Sequence, residues 1–107
     1  MFYLFATAII VGATMAYLRL RGQPRPATSL VVLHGLFAVT GLIAMIIVAV
    51  NETNRTSHVT GPLIVFCIVA VLGLMLLGYH IKQRPLPIPT MIIHGILALA
   101  AFIWLLA

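Results

Sequence analysis

Four long apolar stretches, about Phe2–Leu18, Leu30–Val50, Pro62–Tyr79 and Pro89–Ala107, alternate with three short polar breaks. Each stretch is close to the ~20 residues that a helix needs to cross the hydrocarbon core of a bilayer. The breaks are Arg19–Pro26, Asn51–His58 and His80–Pro87. Prolines near the starts of the second, third and fourth stretches suit helix entry, where the missing amide hydrogen has no partner to lose. Strands are disfavoured, because the runs are too long and an open sheet cannot leave its edges in lipid. The pattern predicts an all-α membrane protein, a four-transmembrane-helix bundle forming one domain over residues 1–107.

Sliding the chain on itself by 60 residues gives an ungapped internal match. Val11 pairs with Val71, Met15 with Met75, Gln23 with Gln83, His34 with His94, Gly35 with Gly95, Ala38 with Ala98 and Ile43 with Ile103. Apolar sequences match readily by chance, so the weight rests on His34-Gly35 and His94-Gly95, since histidine is rare in lipid-embedded sequence. The expectation is two tandem helical hairpins, about 1–50 and 60–107. An even number of spans per copy gives both copies the same orientation, related by a pseudo-two-fold axis along the membrane normal.

Composition agrees. The chain is 64% hydrophobic and 7% charged, with a mean hydropathy of +1.24, whereas a soluble domain carries about a quarter charged residues. The net charge of +5 sits at the ends of the apolar segments, which is the arrangement of topology signals and not of a nucleic-acid surface. Five of the six Lys/Arg fall in the first and third breaks, and only Arg55 in the second. The positive-inside rule therefore puts loops 19–26 and 80–87 in the cytoplasm and both termini outside; the expected location is a bacterial inner membrane. Phe2, Tyr3, Phe5 and Trp104 would lie near the outer face, and Tyr17 and Tyr79 near the inner one. The first residues lack a basic n-region and read as a mature helix. Cys67 is the sole cysteine and makes no internal disulfide. The sequons at Asn51 and Asn54 lie in a tight loop beside the bilayer, where glycosylation is not expected.

The candidate chemistry is the histidine pair. His34 lies about five residues after Ser29 and His94 five residues after Pro89, so both are expected roughly 8–12 Å inside the cytoplasmic boundary at 1.5 Å per residue. If the second and fourth helices are diagonal in the bundle, the imidazoles face each other across its centre. Two opposed neutral imidazoles suit the axial positions of a haem iron. Ala38 and Gly41 share the face of His34, and Ala98 and Ala101 that of His94; Gly35 and Gly95 would add room beside each ligand. Arg19, Arg21, Arg25, Lys82 and Arg84 could hold the propionates. Met15 and Met75 lie at a similar depth, as alternative axial ligands or as packing against the porphyrin. His58 and His80 read as boundary histidines. The blander reading is that small residues serve helix packing and that each histidine hydrogen-bonds a neighbouring helix. A quinone headgroup or another metal is a further alternative; closed zinc coordination wants four ligands.

A four-helix membrane bundle with histidines facing from different helices resembles the transmembrane b-type cytochromes, on the strength of His34-Gly35 and His94-Gly95. The resemblance implies one non-covalent haem b for one-electron transfer with quinol or a redox partner subunit, and the chain lacks a Cys-x-x-Cys-His attachment motif. Ligands shared across a homodimer are compatible with it, and no nucleic acid is expected. Alternative roles are a non-catalytic accessory subunit of a larger membrane complex, or a haem carrier or sensor. The chain is similar in length and span number to the small multidrug resistance family, but no apolar segment holds the carboxylate those proton-coupled exporters need. Phosphate loops and hydrolytic triads are missing too.

Overall fold

The computed structural model describes residues 1–51 and 58–107; the sequons, Glu52 and Arg55 lie outside the described residues. Four helices account for nearly all of them: α1 (Phe2–Leu20), α2 (Thr28–Asn51), α3 (Thr60–Ile81) and α4 (Ile88–Leu106). Each is long and apolar enough to cross a membrane. They extend up to two residues beyond most of the apolar runs at their polar ends, because a helix stops where a capping geometry is available, not where hydropathy falls.

Those caps are alike in α1 and α3. After Leu20, the Gly22 amide donates to the Arg19 carbonyl and the Gln23 amide to the Leu18 carbonyl. After Ile81, the Gln83 amide donates to the His80 carbonyl and the Arg84 amide to the Tyr79 carbonyl. This is the Schellman arrangement, which turns the chain through a left-handed residue. Gly22 takes φ +110° without cost, whereas Gln83 takes φ +57° with a side chain present.

Sequence neighbours pack as hairpins, α1 on α2 and α3 on α4. The bundle then closes through α1 with α4 and α2 with α3. No Cα of α2 comes within 8 Å of α4, nor of α1 within 8 Å of α3, among the described residues. These are the two diagonals. The result measures 48 × 20 × 20 Å.

Two apolar clusters fill the axis. Phe5, Met45, Val59, Phe66, Ala101 and Leu105 form one near the chain termini; Leu76, Leu86 and Met91 form the other near the basic connections. In the first, the rings of Phe5 and Phe66 stack across the α1–α3 diagonal at 4.2 Å and 3°. Gly41 admits this stack, since a Cβ there would lie 3.1 Å from the Phe5 ring. At the basic end the two connecting segments are tied to each other. The Leu86 amide donates to the Pro24 carbonyl at 3.1 Å, and Arg19 Nε donates to the Leu86 carbonyl at 3.0 Å. The outward surface is apolar along all four helices, with Ile10, Leu36, Leu74 and Ile96 among its exposed side chains.

Candidate functional site

Between the two apolar clusters lies a polar level made by His34 and His94. Each residue is six positions into its helix, about 9 Å from the start at 1.5 Å per residue. Because α2 and α4 both begin at the basic end, the two imidazoles share one depth. Their ring centroids are 6.1 Å apart, with an interplanar angle of 68°. The diagonal, level placement anticipated from the sequence is what the fold contains.

Each imidazole is held by the helix that precedes it. His34 Nδ1 lies 2.8 Å from the Ala8 carbonyl oxygen, and His94 Nδ1 lies 2.9 Å from that of Val69. A carbonyl only accepts, so Nδ1 carries the proton, and in the neutral ring Nε2 is the lone-pair nitrogen. Among the described residues, neither Nε2 has a hydrogen-bond partner. Fixing one ring nitrogen on a backbone carbonyl is how proteins orient an imidazole whose other nitrogen binds a metal. It also satisfies a buried histidine that binds nothing.

The carbonyl of residue i in a helix points toward residue i+4, whose side chain can screen it. Four residues after Ala8 stands Gly12, and four after Val69 stands Gly73. A Cβ at Gly12 would lie 2.9 Å from Cε1 of His34, and one at Gly73 would lie 3.1 Å from Cε1 of His94. These glycines make room for the imidazoles on α1 and α3. Sequence reasoning missed them, although each sits four residues after a residue whose carbonyl is used.

The other anticipated residues divide. Ala101 is 1% exposed and belongs to the cluster beyond the histidines, with Ala98 packed against it. Gly41 receives Phe5, and Ala38 is half-buried. A Cβ on Gly35 or Gly95 would meet nothing within 4 Å beyond its own chain neighbours. Met15 is half-buried, while Met75 is 51% exposed, on the outer surface with Tyr79 and Lys82. Arg21 bonds Tyr17 Oη at 2.7 Å, Arg19 is committed to Leu86, and Arg25, Lys82 and Arg84 are exposed at the same end. His58 is exposed in a turn before α3. His80 lies at the basic end, its Nε2 3.3 Å from Thr28 Oγ1.

Among the described residues no group of three or more His, Cys, Asp or Glu could enclose a metal ion. A bare ion would find two imidazoles and too few further protein donors. A metal already held in a plane by a macrocycle needs only two axial ligands. Two imidazoles with ring centroids 6.1 Å apart, each with Nδ1 on a backbone carbonyl, are a donor pair of the type such a planar metal complex would take.

Compared with protein families, curated proteins and solved structures, the chain matches none.

Proposed function

We propose that the chain is an integral membrane b-type cytochrome, binding one haem b between His34 and His94. The observation that carries this is the pair of level imidazoles on diagonal helices, 6.1 Å apart, each with Nδ1 on a backbone carbonyl and Nε2 left over. Haem held by His34 and His94 would supply a one-electron couple, suited to electron transfer more than to oxygen chemistry. The chain's own residues hold and orient. The Ala8 and Val69 carbonyls fix the tautomer and swing of each ring. Gly12 and Gly73 leave room for the imidazoles to reach those carbonyls on α1 and α3. Lys82 and Arg84, exposed at the near end, would be available to propionates. Electrons would be exchanged with quinol or a partner subunit, and a homodimer is compatible with this, since one haem near one face cannot span the bilayer.

Membrane insertion is supported by four helices of spanning length whose outward faces are apolar. In this reading the connections 19–26 and 80–87 are cytoplasmic, because they hold five of the six cations. We also infer tandem duplication, with a one-residue step. Positions in α2 and α4 correspond at a separation of 60 (His34 and His94; Gly41 and Ala101). Those in α1 and α3 correspond at 61 (Phe5 and Phe66; Gly12 and Gly73; Gly22 and Gln83). One residue has then been dropped before α4, and Met15 and Met75 are no longer counterparts.

The visible spectrum of protein purified from haem-replete cells tests the function. A reducible Soret band with sharp α and β bands is expected, lost in both His34→Ala and His94→Ala while the helical circular dichroism signal persists. A colourless wild-type protein overturns the cytochrome reading. It would favour the non-catalytic accessory subunit, for which the carbonyl-bound imidazoles are helix clamps. Colour with readily exchangeable haem would point to a carrier or sensor.

A further inference from the structure

At the basic end a cleft of about 510 Å³ opens between the two connecting segments, lined by Gln23, Arg25, Thr28, His80 and Gln83 among others. It is separate from the histidine pair and independent of the haem reading. Its chemistry is one-sided. Arg25 makes no hydrogen bond or ion pair among the described residues. The only acidic side chain in the chain, Glu52, falls in sequence between α2 and α3 and not in either segment lining the cleft. His80 places Nε2 3.3 Å from Thr28 Oγ1, and its Nδ1 is buried without a partner among the described residues. The two glutamine amides bring further donors, as do the first amides of α2, which have no partner in their own helix. A cleft holding a guanidinium, an imidazole and neutral donors, with no fixed negative charge, is complementary to an oxyanion with several acceptors.

We propose that this cleft binds a phosphate-type oxyanion, with Arg25 as its charge partner and His80 and Thr28 beside it in the lining. Two sources share that chemistry: the headgroup phosphate of an anionic phospholipid, and free inorganic phosphate. The strongly exposed Leu20 and Ile81 at the adjoining helix ends would lie along the acyl chains of a lipid.

The test uses the full chain in zwitterionic phosphatidylcholine nanodiscs, with the His80 imidazole signals followed by NMR. Phosphatidylglycerol is added in one series and inorganic phosphate in another. A saturable His80 shift is expected, with apparent affinity reduced at least fivefold in Arg25→Gln and changed less than twofold in Arg21→Gln, whose guanidinium lies outside the cleft on Tyr17. Saturation with the lipid but not with phosphate assigns the headgroup; saturation with phosphate assigns the free ion. No saturable shift in either series overturns the proposal. So does an equal loss in Arg21→Gln, because binding would then follow total charge and not this cleft. Arg25 is exposed, so its variant is expected to fold, and circular dichroism checks that it does.

Discussion

His34 gives its Nδ1 proton to the Ala8 carbonyl across 2.8 Å, and Gly12, one turn further along α1, is what lets the ring come that close. The same relation links His94, Val69 and Gly73. In an apolar interior this bond removes one unpaired polar atom from each ring and sets the direction of the other nitrogen.

Gly12→Ala is therefore expected to push the His34 ring off its carbonyl. A Cβ 2.9 Å from Cε1 is an overpacking contact, of a kind that costs about 1–3 kcal/mol. Gly73→Ala, at 3.1 Å, should cost less. Gly35→Ala and Gly95→Ala enter open space and should be neutral or stabilising by up to about 1 kcal/mol, from helix propensity. Thermal unfolding of the four variants in one detergent checks the order; equal effects at Gly12 and Gly35 would contradict the packing described.

Phe5→Ala should cost about 3–5 kcal/mol, as a buried aromatic truncation does. Phe5 and Phe66 stack on one another, so the double variant should lose less than the sum of the singles, by about 0.5–1.5 kcal/mol. A double-mutant cycle measures that coupling. Strict additivity would mean the rings do not meet.

The two Schellman turns predict opposite signs. Gly22 sits at φ +110°, so Gly22→Ala should destabilise by about 1–2 kcal/mol. Gln83 already bears the strain of φ +57°, so Gln83→Gly should stabilise, by about 1 kcal/mol or less once the added freedom of the unfolded chain is subtracted. Unfolding midpoints of the two variants are the measurement.

Arg19 and Arg21 look interchangeable in sequence but should not behave alike. Arg19 crosses to the carbonyl of buried Leu86, and its removal strands that acceptor, so Arg19→Gln should cost about 1–3 kcal/mol. Arg21 bonds a tyrosine within its own helix, at the surface, and Arg21→Gln should change stability by less than about 0.5 kcal/mol. Parallel denaturation curves separate them.

The number of helices, the basic end, and the shared depth of His34 and His94 are legible in the chain because they depend on one-dimensional quantities: hydropathy, charge position and rise per residue. What surrounds the histidines is not, because it depends on rotation about the helix axis. In a helix apolar on all sides, no pattern of polar residues marks the inner face. Gly35 and Gly95 are marked by adjacency in the chain, whereas Gly12 and Gly73 meet the rings from other helices. Nor does hydropathy register a shift of register, since sliding an apolar helix by one residue leaves its composition unchanged but moves each side chain to a new face. Spacing along the chain determined which residues lie level; only packing between helices decided which of them touch.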